Sequence, residues 1–360
     1  MTLDAADSYL LRHLEDAEPS GEVVVLGDRE GELVAELAGR ADPARLTLIT
    51  DSFTALEKAR ARLGDDRVSL LSTRDEPPER IDVLLVRVPK SLALLEDQLH
   101  RLAPRLHEHS LVVGTGKVTE IHTSTLELFE RLVGPTRTSL AERKARLIFS
   151  EPAVRRERPE NPWPLRYPLP VDNLLGAVSG LPVANHAGIF CADRLDIGTR
   201  FLLEHLPTTS GALDIADLGC GNGVLGLAAA LGNPRARLTL LDESFQAVAS
   251  ARETFEANLP AERVLATRFQ VGDALDAVPD ASVDLVLNNP PFHSHRANTD
   301  ETAWHMFTGA RRVLRPGGEL WIVGNRHLGY HGKLRRLFGN CDTVAGNPKF
   351  VVLRAVRSER

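Results

Sequence analysis

Hydrophobic residues along the chain fall into short runs that alternate with longer amphipathic segments. The runs are rich in Val, Ile and Leu, as is typical of strands that are buried on both faces. They lie at residues 23–26, 46–49, 83–88, 215–218, 238–241, 283–287 and 320–323. Because apolar strands separated by helical segments form βαβ units, the pattern predicts α/β domains with mostly parallel sheets.

A proline-rich stretch divides these runs into two groups. Residues 151–170 contain six prolines, a density that blocks helices and central strands. We therefore expect an interdomain connection here, with one domain in residues 1–165 and a second in residues 171–360. The length of 360 residues fits two domains, since one domain commonly takes about 100–200 residues.

The two groups also resemble each other in sequence. Residues 51–60, DSFTALEKAR, share Ser, Phe, Ala, Ala and Arg with residues 243–252, ESFQAVASAR, at an offset of 192. The same offset aligns Gly31 with Gly223, and further along the chain it grows to 202 and then to 210. A drift of this kind, through small insertions, indicates an ancient duplication in which one fold is present twice.

A glycine-rich loop follows the predicted strand at 215–218. Its candidate ligand-binding residues are Asp217, Gly219, Cys220, Gly221, Asn222 and Gly223. Glycines let the backbone pass close to a ligand, but Gly-x-Gly-x-Gly alone also fits a tight turn or a dinucleotide site. The first copy has Asp, Arg and Glu at residues 28–30 of the matching loop. We infer that the first copy kept the fold and lost the site.

Two acidic residues at the ends of the next strands narrow the range of ligands that the loop could bind. Asp242 stands where a carboxylate accepts the hydroxyls of a ribose, and Asp273 stands where an adenine amino group could be bound. Together they predict an adenosine site. Asp217, at the entrance of the loop, would repel a pyrophosphate but suits a cationic amino-acid group. This combination favours S-adenosylmethionine over NAD as the cofactor.

The tetrapeptide after the strand at 283–287 points to the acceptor. Asn289 offers an amide oxygen, and Pro290 and Pro291 stiffen the exit of the strand and leave main-chain carbonyls without neighbouring donors. Phe292 offers a flat apolar face. This set suits a planar substrate with an NH2 group, whose protons the Asn289 side chain and the Pro290 carbonyl would hold. The alternative is a proline-stiffened loop with a core aromatic residue.

With these residues the chain resembles the class I S-adenosylmethionine-dependent methyltransferases, and Asn-Pro-Pro-Phe is similar to the motif of those that act on guanine N2 or adenine N6. A degenerate copy joined to an active one resembles the paired-domain ribosomal RNA guanine-N2 methyltransferases. Within that family, residues 88–96, 121–130, 195–201, 325–328 and 338–341 look like the large-subunit enzymes. The resemblance implies two tandem Rossmann-like domains with seven-stranded sheets. It also implies transfer of a methyl group to one guanine of 23S ribosomal RNA.

The family resemblance also implies roles for single residues. Asp217 and the loop up to Gly223 would hold the methionine part of the cofactor, Asp242 the ribose and Asp273 the adenine. Asn289 through Phe292 would clamp the guanine, with Asn289 also near the cofactor. Residues 185–190, together with Asp196 and Thr199, resemble the cover over both ligands.

The net charge of −6 argues at first against a nucleic-acid partner, but the charge is unevenly distributed. Residues 1–36 carry a net charge of −8 and residues 311–360 a net charge of +8. Such polarity creates a basic face on an acidic protein, or is simply a solvated surface. Tyr330 in this region is a candidate either for stacking on a base or for the core. The candidate RNA contacts are His293, Arg311, Arg312, Arg326, Lys333, Arg335 and Arg336.

Other features of the sequence bear on where the protein is found in the cell and on what it binds. No apolar run approaches the length of a membrane span, and the acidic N-terminus does not resemble a signal peptide. Three widely spaced cysteines without a CxxC pattern favour a cytoplasmic protein with neither disulfides nor a metal site. We expect a monomer that acts on naked 23S ribosomal RNA or an assembly intermediate. The first domain would bind RNA or support the second.

Four alternatives remain open at this stage. A 16S ribosomal RNA methyltransferase would share the architecture, and an adenine-N6 methyltransferase would share the tetrapeptide. A protein glutamine methyltransferase also uses Asn-Pro-Pro, although that group typically has Tyr at the position of Phe292. A non-catalytic RNA-binding factor with a vestigial pocket is the fourth, and the intact acidic residues argue against it.

Overall fold

The computed structural model describes residues 3–15, 20–40, 45–64, 68–155, 157–291 and 296–358. They form two compact units, Met1–Trp163 and Pro164–Arg360. Most of the proline-rich stretch thus belongs to the first unit. Its last part was expected to be a connection, but it forms a strand that pairs antiparallel in a two-stranded sheet. Proline is tolerated there because edge positions need no donor on the solvent side.

The first unit is a seven-stranded sheet flanked by helices, counted over the residues described. Its strands are β1 (Val23–Leu26), β2 (Leu46–Thr50), β3 (Ser69–Ser72), β4 (Ile81–Arg87), β5 (Leu106–Lys117), β6 (Thr136–Thr138) and β7 (Ala145–Ser150). Its helices are α1 (Ala5–His13), α2 (Glu32–Ala38), α3 (Phe53–Leu63), α4 (Leu92–Leu102) and α5 (Thr123–Leu132).

The second unit begins with the small sheet and continues into a second seven-stranded one. The small sheet pairs β8 (Leu165–Pro168) with β9 (Pro182–Asn185). The large sheet holds β10 (Asp214–Leu218), β11 (Arg237–Asp242), β12 (Arg268–Val271), β13 (Val283–Asn288), β14 (Leu314–Asn325), β15 (Asp342–Gly346) and β16 (Phe350–Val356). The helices are α6 (Ile197–Leu203), α7 (Val224–Gly232), α8 (Phe245–Asn258), α9 (Ala261–Leu265), α10 (Arg296–Val313) and α11 (Tyr330–Phe338).

The two large sheets have the same topology. Their orders are β3-β2-β1-β4-β5-β7-β6 and β12-β11-β10-β13-β14-β16-β15, and in each sheet only the last two pairings are antiparallel. The prediction of two tandem, mostly parallel α/β domains with one fold is confirmed. Because β1 is central and buried on both faces, its sequence is purely apolar, and in β10 the apolar residues lie between and beside Asp214 and Asp217.

A close helix-to-helix approach is repeated in both units. The residue before α2 is Gly31 (φ +69°), and the residue before α7 is Gly223 (φ +78°). A Cβ on Gly31 would lie 2.5 Å from the Cα of Ala59, and one on Gly223 would lie 2.9 Å from the Cα of Ala251. Both the backbone angle and the contact therefore require glycine.

Hydrophobic clusters cover both faces of the second sheet. Leu225 and Phe255 belong to one cluster, and Phe307 and Tyr330 belong to the other. Tyr330 is 2% exposed and its ring contacts Phe307 edge to face, so it is a core residue and not one that stacks on a base. Among the described residues, no helix is both long and apolar enough to cross a membrane.

Candidate cofactor and substrate site

The candidate residues of the second unit meet at one edge of its sheet. Strands β10, β11, β12 and β13 are parallel, and Leu218 pairs with both Leu241 and Asn288. Asp242 pairs with Val271 at the same level. The loops that follow these four strands therefore emerge side by side, at the edge where open α/β sheets bind ligands. We call this the carboxyl edge of the second sheet.

The glycine loop lies over this edge and is held to β11. The amides of Gly219 and Cys220 both donate to the carbonyl of Leu241, at 2.8 and 2.9 Å. Cys220 is buried, whereas a Cβ on Gly221 would meet no atom within 4 Å. Since Gly221 also has a φ of +53°, its backbone can face a ligand directly.

Asp217 lies beneath the loop and is fully enclosed. Its Oδ2 accepts a hydrogen bond from the amide of Gly226 at 2.8 Å, while its Oδ1 has no partner among the described residues. Burial raises the pKa of Asp217 to about 7, against the one stabilising amide. A buried carboxylate with an unused oxygen is stabilised by a nearby cation. The position thus fits a ligand that brings positive charge to the loop.

Asp242 and Asp273 have different environments. The Asp242 carboxylate accepts from the amides of Gly221 at 3.0 Å and Ser244 at 3.1 Å, and burial raises its pKa. It is thereby held in place with lone pairs left for hydroxyl donors. Asp273 is exposed at the rim, and its Oδ1 lies 3.4 Å from Nε2 of His305. His305 is not among the site residues predicted from the sequence.

Asn289 is held by two residues far away in the sequence. Its Nδ2 donates to Oδ2 of Asp196 at 3.1 Å and to Oγ1 of Thr199 at 2.7 Å. Asp196 is itself fixed as the N-cap of α6, where it accepts from the amide of Thr199 at 2.8 Å. Because a carboxylate only accepts hydrogen bonds, the Nδ2 must face Asp196 and the Oδ1 must face away. That Oδ1 is buried and has no partner among the described residues, so an acceptor is available there.

The other members of the tetrapeptide are less fully defined. Pro290 is buried and Pro291 exposed. Phe292 and His293 lie outside the described residues.

Neighbouring contacts that the sequence did not predict stiffen the edge. Asn288 donates to the carbonyl of Leu218 at 2.7 Å, and Asn222 donates to Oδ1 of Asn185 at 3.0 Å. The family resemblance had already pointed to Asp196 and Thr199 as part of the cover, and the structure places both in contact with Asn289.

The corresponding positions in the first unit are filled by the protein itself. Arg87, at the end of β4, matches Asn289, and its guanidinium pairs with Asp4 at 2.8 Å, Asp7 at 3.3 Å and Glu120 at 3.0 Å. Asp28, which matches Cys220, turns its carboxylate onto the amides that precede and begin α2. These intramolecular contacts differ from those of the second unit and fit the interpretation of a first copy that kept the fold and lost the site, which stays a prediction.

The predicted RNA contacts do not all remain available. Arg312 is half-buried, and its guanidinium donates to the carbonyls of Leu275 and Val278 and pairs with Asp280. We therefore remove it from the candidate RNA surface. Arg326 is exposed but donates to the carbonyl of Asn347 at 3.1 Å. The remaining described candidates lie on or beside α10 and α11: Arg311, Lys333, Arg335 and Arg336.

Comparison with known proteins places both units. Residues 180–354 match the methyltransferase small domain, and residues 2–154 match the RLMG N-terminal domain. The chain is 65% identical to ribosomal RNA large subunit methyltransferase G of Streptomyces avermitilis, over 98% of this chain and 92% of that protein. It is 48% identical to the protein of the same name from Ectopseudomonas mendocina, with the same coverage.

A solved structure has the same fold over both units. The T. thermophilus 16S rRNA N2 methyltransferase RsmC, in complex with AdoMet and guanosine, matches with a TM-score of 0.78 and 21% identity. The match covers 98% of this chain and 92% of that one. The resemblance to paired-domain methyltransferases of the large-subunit type is confirmed by the curated relatives. The chain therefore belongs to the ribosomal RNA large subunit methyltransferase G family of S-adenosylmethionine-dependent enzymes.

Proposed function

We propose that this chain methylates the exocyclic N2 of one guanine in 23S ribosomal RNA, which gives N2-methylguanine. The observation that carries the proposal is the buried Oδ1 of Asn289, an acceptor whose orientation Asp196 fixes, at the edge that also holds the glycine loop. The names of the relatives support the large subunit as the source of the RNA.

The residues of the carboxyl edge fit the cofactor of the family. The unused oxygen of Asp217 would stabilise its cationic part, and the open backbone at Gly221 would let that part lie against the loop. Asp242 would accept the ribose hydroxyls, and Asp273 would meet the adenine at the rim. When bound, S-adenosylmethionine supplies an electrophilic methyl group on a sulfonium.

The chain's own contribution is to position and polarise the amino group of the base. Oδ1 of Asn289 accepts one N2 proton and the carbonyl of Pro290 accepts the other, so the nitrogen lone pair leaves conjugation and faces the methyl group. Phe292 would stack on the ring. No strong base is required, because the methylated nitrogen loses its proton easily to solvent.

The guanine must leave any base-paired helix to reach this edge. Extrusion costs a few kcal/mol, and contacts to the surrounding RNA offset it. In our proposal these contacts come from the basic residues of the second unit. The first unit, which has lost its own site, binds RNA or supports the second.

The test is methylation of purified ribosomal RNA with a labelled cofactor. Deproteinised 23S and 16S RNA are incubated separately with the protein, and the labelled nucleoside is identified after digestion. We expect N2-methylguanine from 23S RNA alone. Label in 16S RNA, on adenine N6 or on protein glutamine would each replace the proposal with the corresponding alternative, and absence of transfer to any RNA would overturn it.

The environment of Asp217 makes cofactor binding depend on pH. With a pKa of about 7, Asp217 is mostly protonated at pH 6, whereas a cationic ligand favours its ionised form. Affinity should therefore rise up to about tenfold per unit from pH 5.5 to 7 and level off above, as calorimetry can measure. In this range the α-amino group of the ligand stays protonated.

Asp217→Asn is the matched control for this pH dependence. It keeps the size of the side chain and removes the titration, so its affinity should be lower at pH 8 and nearly constant from pH 5.5 to 7. An unchanged slope in Asp217→Asn would assign the dependence to another group, such as Asp242.

A further inference from the structure

Helix α11 presents a basic surface beside the carboxyl edge. Its buried side consists of Tyr330, Leu334 and Phe338, and its exposed side includes Arg335 and Arg336. The helix contains no acidic residue, and neither arginine has a carboxylate within ion-pair distance among the described residues. Among the residues that the structure describes, no carboxylate competes for these two guanidinium groups, which suits them to a phosphate.

One of these arginines lies over an aromatic ring of the neighbouring helix. The guanidinium carbon of Arg336 lies 4.7 Å from the centre of the Trp304 ring, and Trp304 is partly exposed. A cation–π contact of this kind attracts the guanidinium to the face of the indole ring. The stack joins α10 to α11 at the surface, next to the packed pair Phe307 and Tyr330.

The stack lies along α10 at about the level of the carboxyl edge, on the side of the helix that faces α11. Strands β13 and β14 both end at the carboxyl edge, and α10 and α11 follow them in turn. Two residues after Trp304, Sδ of Met306 lies 3.7 Å from Nδ2 of Asn288, the residue before Asn289. Two residues along a helix correspond to a rise of only about 3 Å. Trp304 is thus on the same turn of α10 as Met306, but two residues turn a side chain by about 200° around the helix, so its ring faces Arg336 of α11 and not Asn288.

We propose that Trp304 and Arg336 form a stacking site for one unpaired base of the substrate RNA, flanking the target guanine. Flat aromatic rings and guanidinium planes are the surfaces on which proteins hold splayed-out bases. Arg335, one residue along α11, and Arg311, two turns along α10 from Trp304, bind the phosphates on either side. The inference rests on the proposed function, since it concerns the same RNA.

A purely structural role would have different consequences. An exposed cation–π pair shifts the folding equilibrium by only about 2- to 5-fold, whereas stacking of one base raises binding affinity by about 5- to 150-fold. Removal of the pair should therefore affect RNA much more than folding. The neighbouring aromatic residues Phe307, Tyr330 and Phe338 are buried and are not available to a base.

The experiment measures methylation of a 23S fragment, S-adenosylmethionine affinity and thermal unfolding in three variants. Trp304→Ala and Arg336→Gln should each lower kcat/KM for the RNA about tenfold or more and leave the cofactor Kd within twofold. The matched control is Arg268→Gln, which removes an exposed arginine at the start of β12, the opposite edge of the sheet. Its kcat/KM should stay within twofold of the unsubstituted protein.

Two further measurements make the outcome decisive. Arg336→Gln changes only an exposed side chain, so it keeps the test valid if Trp304→Ala unfolds. In addition, the slope of log affinity against log salt should fall for Arg335→Gln but not for Arg268→Gln. If the unsubstituted protein methylates 23S RNA and Arg336→Gln does so equally well, the stacking site is wrong and the proposed function stands. If no RNA is methylated by the unsubstituted protein, the proposed function itself is wrong.

Discussion

Asn289→Ala is expected to lower the rate of methyl transfer by about 10²–10³-fold and to leave cofactor affinity within a few fold. The substitution removes a buried side-chain oxygen that faces away from Asp196 and has no partner among the described residues. Loss of one preorganised polar contact to the reacting group commonly has an effect of this size. Single-turnover kinetics with saturating cofactor measure the rate, and calorimetry measures the affinity.

Asp196→Asn tests whether the orientation of the Asn289 amide matters, and not only its presence. The variant keeps Asn289 and the N-cap, and Thr199 still accepts from Nδ2. However, an amide at position 196 can also donate, so it no longer dictates which end of the Asn289 amide faces it. We expect kcat to fall about tenfold while the cofactor Kd is unchanged. The kcat of Asp196→Asn would then lie between that of the unsubstituted protein and that of Asn289→Ala. Near-normal turnover in Asn289→Ala would exclude the proposed clamp.

Arg87→Met is expected to destabilise the first unit by about 3–5 kcal/mol at pH 8. The Arg87 side chain is 4% exposed and pairs with three carboxylates, from Asp4, Asp7 and Glu120. Removal of one partner of a buried ion pair leaves uncompensated charge in a poorly solvated place. Hydrogen exchange of the β4 and β5 amides reports the opening of this unit separately from the second one.

The loss of stability caused by Arg87→Met should become smaller as the pH falls. Burial raises the pKa of Asp7 to about 7, although Arg87 lowers it, so without Arg87 the pKa of Asp7 is higher still. At pH 6 a protonated Asp7 needs no cation, and less uncompensated charge remains. Lys58→Met, which removes a solvent-exposed pair with Glu30, is the control and should change stability by less than about 1 kcal/mol. Equal effects of the two substitutions would contradict a buried role for Arg87.

Much of the architecture follows from local sequence patterns. The period of apolar residues identified the parallel strands, because a strand buried on both faces cannot include many polar residues. The constant offset between residues 51–60 and 243–252 identified the duplication, because repeated packing preserves the same small residues. The contacts of Gly31 with Ala59 and Gly223 with Ala251 are that packing in both copies. The same alignment indicated which copy had lost its loop.

Other parts of the candidate site depend on partners that no local pattern identifies. The contact between Asn289 and Asp196 joins residues 93 positions apart, and only the folded chain brings them to one edge. In the same way, the charge pattern of the sequence predicts both Arg312 and Arg336 as RNA contacts and does not distinguish them. Burial and partners then separate them, since Arg312 is bonded within the protein and Arg336 lies exposed over Trp304.

The fold, its duplication and the residue types available at the carboxyl edge were therefore predictable from the amino-acid sequence. These depend on spacing along the chain, which a strand–helix period records directly. The orientation of the Asn289 amide, the ion pairs of Arg87 in the first unit and the different environments of Arg312 and Arg336 became clear only from the folded chain. Those properties depend on which distant groups satisfy each donor and acceptor, and a hydrogen bond or ion pair forms only between groups that folding brings within about 3–4 Å of each other.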